Sequence, residues 1–214
     1  MNYAVLIVAA GTGSRMNLGY NKVFYELEEG ISVLEKAIAA FLKDKRCTQI
    51  VVVLNRDDMK HSFKHESGKI VRVFGGFTRQ ESVYNGLMAI KEEYVLIHDG
   101  ARPSISQNNI DDLLETLETE DACILAVKTK DTLKKVENGY ITKTIDRTNV
   151  YQAQTPQAFK TQVIIDCHKK ACAANIKVTD DSQLVELTSN IKIKVVYGDD
   201  DNIKLTTKKD LKKI

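Results

Sequence analysis

The sequence predicts an α/β fold, a mostly parallel sheet with helices on both faces, and three observations carry that prediction. Val5-Leu6-Ile7-Val8 is apolar without alternation, which suits a strand covered on both sides. It runs into Ala9-Ala10-Gly11-Thr12-Gly13, small residues at the strand end where open parallel sheets place their ligands. Further apolar runs, at 50–54, 70–74, 94–98 and 122–127, alternate with segments of helical period.

The first turn is the most informative stretch. Small residues let backbone N–H groups approach an anion, and Arg15 adds a full positive charge, so a phosphate-bearing ligand is the first hypothesis. The alternative is a tight connection whose glycines serve conformation only. Walker A requires Gly-Lys-Ser/Thr, which Gly11-Thr12-Gly13-Ser14-Arg15-Met16 lacks. The dinucleotide fingerprint requires a small residue where Met16 stands and an acid after the second strand, where the chain has Leu54-Asn55. Lys22 is near enough in sequence to return to the same pocket, or is a solvated surface lysine.

Ser32-Val33-Leu34-Glu35 is a capping box, and Leu34, Ala37, Ile38, Phe41 and Leu42 make one apolar helical face. The polar stretch 57–65 reads as helical, with His61 and His65 as exposed helix residues rather than metal ligands. Gly75-Gly76 ends the third strand, and Thr78-Arg79-Gln80-Glu81 caps a helix carrying Val83, Leu87 and Ile90. The fourth strand delivers Asp99-Gly100-Ala101-Arg102-Pro103 to the same rim. Two readings of Asp99 stand side by side: a ligand for Mg²⁺, directly or by way of water, and an ion pair with Arg102 that orders the turn.

Ile110, Leu113, Leu114 and Leu117 make another helix. From 128 to 150 the texture changes to alternating polar and β-favouring residues around Asn138-Gly139, the strongest short hairpin signal. A hairpin so rich in lysine is marginal by itself, so this arm, which carries Thr132 and Arg147, is expected to lie against a second subunit. Thr155-Pro156-Gln157 closes the excursion; a helix with Val163, Ile164, Cys167 and Ala171 follows, then a short helix from Thr179-Asp180-Asp181 and a last strand over 193–197. Lys208, Lys209, Lys212 and Lys213 read as a solvated helix.

The 214 residues predict one domain with an insertion at about 128–150. With 31 basic and 29 acidic residues there is no global field to recruit nucleic acid or an anionic membrane, so any anion site is local. The first apolar run is too short for a membrane span or signal peptide, and Cys47, Cys123, Cys167 and Cys172 form no C-x-x-C pair, so a cytoplasmic protein with reduced thiols is expected.

In order along the chain, the segments 9–16, Lys22, Gly75-Gly76 with Arg79 and Ser82-Val83, His98 to Pro103, Lys130-Asp131-Thr132, Asp146-Arg147, Gln154 to Gln157, Val178-Thr179-Asp180 and Asn202-Ile203-Lys204 resemble the 2-C-methyl-D-erythritol 4-phosphate cytidylyltransferases of non-mevalonate isoprenoid synthesis. The similarity is nearly end to end. It implies a Rossmann-like fold that dimerises through its β-arm and transfers a cytidylyl group from CTP to a sugar-alcohol phosphate with release of pyrophosphate. By the same resemblance Arg15 and Lys22 stabilise the transition state, and Arg147 and Lys204 position the methylerythritol phosphate. CTP binding carries over to Ala9, Ala10, Gly11, Gly76, Ser82, Asp99 and Arg102, with Mg²⁺ or another divalent cation on the phosphates, and Thr132, Thr155 and Thr179 surround the substrates. The chain departs from the family at Asn21, usually proline, at Phe77, usually polar, and in a shortened terminal helix. The rivals are a ribitol-5-phosphate cytidylyltransferase, an NAD-dependent reductase and a non-catalytic nucleotide-binding protein.

Overall fold

The chain alternates strand and helix from its start. β1 (Tyr3–Val8), β2 (Cys47–Leu54) and β3 (Ile70–Phe74) pair in parallel, outward from β1; β4 (Tyr94–Asp99) then pairs in parallel on the other side of β1. This is a computed structural model, and it describes residues 1–11, 16, 18–27, 30–64 and 67–213. Among the described residues one sheet has seven strands in the order β3-β2-β1-β4-β8-β5-β9, with β5 at Ala122–Lys128, β8 at Tyr151–Lys160 and β9 at Lys194–Tyr197. Strand order reverses between β1 and β4. In an open parallel sheet that reversal opens a crevice at the carboxyl ends of the two strands.

The apolar runs lack alternation because both faces are covered. Val5 and Ile7 face a core formed with α1 (Val33–Leu42) and α3 (Gln107–Leu117); Leu6, between them, faces a second core formed with α2 (Arg79–Leu87), α4 (Thr161–Ala173) and α5 (Asp181–Thr188). The capping box forms: Glu35 N–H donates to Ser32 Oγ at 3.2 Å and Ser32 N–H to Glu35 Oε2 at 2.8 Å. Cys47, Cys123 and Cys167 are buried and Cys172 is exposed, all as free thiols.

Three expectations need correction. The stretch 57–65 is no α-helix among its described residues, only a 3₁₀ turn at Asp58–Lys60. Asn55 Oδ1 accepts the Asp58 N–H at 2.8 Å and so caps that turn, which ends at His61, extended at φ −65° and ψ 126° with its ring stacked on Phe24, centroids 3.9 Å apart. His65 lies outside the described residues. α2 stops at Leu87, so Ile90 follows it rather than riding on it.

Thr155-Pro156-Gln157 does not close an excursion; it lies inside β8, antiparallel to both β4 and β5. Proline argues against an interior strand, but here the ladder with β5 passes from Ile124↔Gln157 to Ala126↔Ala153, so Pro156 falls in an irregularity of the pairing, where proline is tolerated. The lysine-rich end is helical as expected, in the 3₁₀ form, Lys208–Lys213, with Lys208, Lys209 and Lys212 exposed.

The hairpin forms as expected, from β6 (Leu133–Glu137) and β7 (Tyr140–Ile145). Asn138 at φ 51° and Gly139 at φ 85° supply the two left-handed residues of a tight turn. Arg147 closes its root by donating to Thr129 O at 3.2 Å and to Lys130 O. Val136, Ile141 and Tyr140 stand more than half exposed on it.

Candidate active site

A cavity of about 420 Å³ opens at the carboxyl edge of β1 and β4. β1 brings Ala9, Ala10 and Gly11 to it. Thr12 to Arg15 lie outside the described residues, and with them the expectation for Arg15. Next comes the 3₁₀ turn Lys22–Phe24, where Lys22 lines the cavity and its Nζ donates to Leu205 O.

From β3 the chain enters through two glycines whose lack of a side chain is required by contact. A Cβ on Gly75 would stand 2.5 Å from Ala10 Cβ, and one on Gly76 would stand 2.4 Å from Glu81 Cβ. The following turn is tied down by α2. Thr78 Oγ1 accepts the Glu81 N–H at 3.1 Å, Glu81 Oε2 accepts the Phe77 N–H at 2.8 Å, and Ser82 Oγ accepts the Gly76 N–H at 3.0 Å. The backbone is therefore fixed while the Phe77 side chain stands bare at the cavity mouth.

The charges are arranged around Asp99, which is 7% exposed. Its Oδ2 accepts from Lys204 Nζ at 2.6 Å, and its Oδ1 lies 3.4 Å from Arg79 Nη2. The same Arg79 nitrogen donates to Asp181 Oδ2 at 2.8 Å, so one guanidinium joins β4, α2 and the start of α5. Burial alone would raise the Asp99 carboxyl, but the charges of Arg79 and Lys204 outweigh it and hold the group well below the usual carboxylate range. For Asp181 burial prevails and its pKa is raised, although Arg79 opposes the rise. Behind them His98 is fully buried, and burial pushes its pKa down to about 4.

Of the predicted residues, Ala9, Ala10, Gly11, Lys22, Gly76, Ser82, Asp99 and Lys204 line this one cavity. Arg102 and Thr155 are buried behind the rim. Arg102 Nη1 donates to Asn202 O at 2.6 Å, so the alternative ion pair between Asp99 and Arg102 does not form. Thr155 Oγ1 accepts the Asp99 N–H at 3.0 Å and so backs the carboxylate. Arg147 faces a second concavity of about 460 Å³ at the arm root, with Lys130, Tyr197 and Asp200. Thr132 is exposed at the start of the arm, and Thr179 is exposed ahead of α5, bonded to Gln183. Sequence reasoning assigned no role to Arg79 or Asn21, which both line the cavity. Arg79's place between two glycines' turn and a helix start, aimed at a strand-end acid, was the available signal.

Among the described residues no three His, Cys, Asp or Glu side chains gather to hold a metal, and no helix is long and apolar enough to cross a membrane. The cavity offers one carboxylate, Asp99, beside several cations. That donor set suits a hard cation that arrives on phosphates rather than one caged by protein.

Comparison with known proteins finds one family over nearly the whole chain. A model of the IspD family, 2-C-methyl-D-erythritol 4-phosphate cytidylyltransferase, matches residues 3–214. The enzyme of that name from Geobacillus thermodenitrificans is 42% identical over 217 residues, 99% of this chain and 94% of its own. The crystal structure of the Francisella tularensis enzyme superposes with a TM-score of 0.86 at 33% identity, covering 99% of this chain and 97% of the other. The 4-diphosphocytidyl-2C-methyl-D-erythritol synthase of Anaerococcus prevotii also gives 0.86, at 36% identity over 98% of this chain and 92% of its own.

Proposed function

The chain belongs to the 2-C-methyl-D-erythritol 4-phosphate cytidylyltransferase family, and from that premise we propose how its own residues divide the reaction. The enzyme transfers the cytidylyl group of CTP to 2-C-methyl-D-erythritol 4-phosphate in isoprenoid precursor synthesis. A phosphate oxygen of the alcohol phosphate bonds to the α-phosphorus of CTP, the bond from that phosphorus to the bridging oxygen breaks, and pyrophosphate leaves with the electron pair. The nucleophile is already an anion, so no general base is required; the barrier lies in bringing like charges together.

Ala9, Ala10, Gly11, Gly76 and Ser82 receive the nucleotide, where small side chains and fixed backbone allow close approach. Lys22, with Arg15, stabilises the charge that grows on the α-phosphate and on the departing pyrophosphate. Lys204 positions the methylerythritol phosphate from the rim. Asp99 is the carboxylate that would hold Mg²⁺ or another divalent cation, directly or through water, and the ion would supply further neutralisation of the phosphates. Thr155 acts through Asp99, whose N–H it accepts, and Arg102 supports the turn from behind. Thr179 borders the sugar phosphate at the start of α5.

Arg147 and Thr132 belong to the arm and serve the cavity of a second copy. The support for a homodimer is the apolar surface of an arm that has little else to cover it: Val136 is 55% and Ile141 65% exposed.

The observation that carries the whole reading is the convergence of Lys22, Arg79 and Lys204 on one cavity at the strand-order reversal. Pyrophosphate release is the test, with CTP, UTP and ATP each paired with methylerythritol phosphate and with ribitol 5-phosphate. CTP with methylerythritol phosphate is expected to be the fastest pair, and Lys22→Ala to lower its kcat by about a hundredfold with a smaller change in CTP binding. Faster turnover of the ribitol ester, or a fully active Lys22→Ala, contradicts the reading.

A further inference from the structure

Lys22 sits on a turn only three residues long, and the polar residue before it is buried. Asn21 is 5% exposed, although asparagine is usually found on surfaces. Its hydrogen-bonding capacity is spent inside the protein. Nδ2 donates to Ala9 O at 2.7 Å and to Asp58 Oδ2 at 2.8 Å, and Oδ1 accepts the Val23 N–H at 3.4 Å. Asp58 is itself 8% exposed and is held by Asn55, whose Nδ2 donates to Asp58 Oδ2 at 2.6 Å while its Oδ1 accepts the Asp58 N–H.

Three chain segments that are far apart in sequence are thereby joined at one amide: the exit of β1 at Ala9, the exit of β2 at Asn55 to Asp58, and the turn that carries Lys22. We infer that Asn21 and Asp58 form a positioning pair that fixes Lys22 against the end of β1, and so sets where its ammonium stands in the cavity. The inference rests on the reading of Lys22 given above. Neither residue touches the reacting atoms on this account. Asn21 lines the cavity, but both of its amide hydrogens are taken by Ala9 and Asp58, so it keeps no donor for a phosphate.

The pair is also a solution to a backbone problem. Asn21 has φ −65° and ψ 122°, an angle that proline adopts without strain, and its own N–H makes no hydrogen bond among the described residues. Proline at 21 would preset the turn but would leave the Asp58 carboxylate with one partner fewer in a buried place. Asn21 and Asp58 are therefore coupled: a change at one is tolerated only with a matching change at the other.

The experiment uses the full chain and four variants, Asn21→Ala, Asn21→Pro, Asp58→Ala and Asn21→Pro/Asp58→Ala, with Lys22→Ala beside them. Thermal midpoint, kcat and KM for CTP are read for each. Asn21→Ala is expected to lower kcat about tenfold or more with KM for CTP within about threefold, because a displaced stabiliser costs more in the transition state than in the ground state. Asn21→Pro alone should lose both kcat and thermal midpoint. The double variant should regain both, to within about threefold of the wild-type kcat, since proline restores the turn and no carboxylate is stranded.

A structural role alone would lower the midpoint and leave kcat intact, and that result overturns the inference. So does a double variant no better than Asn21→Pro. If Asn21→Ala does not fold, the double variant decides. If Lys22→Ala loses turnover while folded Asn21→Ala keeps it, only the positioning pair falls; if Lys22→Ala is fully active, the reading of Lys22 falls and the pair's role with it.

Discussion

Arg79→Ala tests the charge arrangement most directly, because Arg79 is the cation that the structure places on Asp181. Asp181 is 2% exposed, and its carboxylate takes a 2.8 Å bond from Arg79. Removing one partner of a buried pair costs roughly 3–5 kcal/mol, most of it the penalty for the charge left behind. The Arg79 side chain is 30% exposed, so water repays part of the loss and about 3 kcal/mol is expected. For a chain of this size that corresponds to a thermal midpoint lower by about 6–12 °C.

The sign of the pH dependence follows from the two carboxyls. Burial raises Asp181 in the folded protein, so its ionisation costs stability as pH rises through the raised value. Asp99 is held low by Arg79 and Lys204 against the effect of burial, so it contributes stability above the ordinary carboxylate pKa that is lost in acid. Without Arg79 both effects weaken the protein near neutrality and fade toward acid as the carboxyls take up protons. Urea melts of wild type, Arg79→Ala and Arg79→Ala/Asp181→Asn at pH 7 and pH 5 supply the check. The deficit of the single variant should shrink at pH 5, and the double variant should recover about half of it at pH 7. A single variant within about 1 kcal/mol of wild type at pH 7, or a deficit that grows in acid, refutes the argument.

Three further outcomes are expected. His98 and His168 are both buried, and burial lowers each to about 4, so the stability they confer is complete above about 6.5 and is lost as pH falls toward 4. Chemical unfolding should show the protein about 4 kcal/mol less stable at pH 5 than at pH 7 from these two groups, and a flat profile across that window would contradict their burial as neutral rings. Gly86→Ala puts a methyl 2.7 Å from both Leu6 Cδ1 and Val53 Cγ2 where α2 lies on the sheet. It should destabilise by about 1–2 kcal/mol despite the better helix propensity of alanine, and a rise in thermal midpoint would refute the tight packing. Arg147→Ala should raise KM for the alcohol phosphate more than for CTP in steady-state assays, and the reverse pattern contradicts its assignment.

Much of the fold was legible because it depends on near neighbours in the chain. The unbroken apolar run of β1 follows from two covered faces, α1 begins where Ser32 and Glu35 can bond each other, and Asn138-Gly139 turns the arm because both positions need positive φ. Strand β8 was hidden for the opposite reason. Its composition is polar and contains proline, and it is buried only because distant residues satisfy it: Gln157, 1% exposed, donates to Asp180 Oδ2 and accepts the N–H groups of Asp181 and Ser182. The segment 57–65 stops after one 3₁₀ turn because His61 leaves it in an extended conformation, φ −65° and ψ 126°, with its ring stacked on Phe24 from another part of the chain, which no local pattern reveals.

The cavity divides along the same line. Motifs placed the small residues of β1, the glycines after β3 and the acid after β4 at strand ends, and a parallel sheet then sets those ends on one edge. Which cation meets which acid was decided only by folding. Asp99 takes Lys204 from 105 residues away rather than its neighbour Arg102, and Arg79 takes Asp181 from 102 residues away. Sequence acts on backbone conformation over a few residues, whereas a buried charge selects its partner by position in three dimensions, and that position exists only once the sheet has closed.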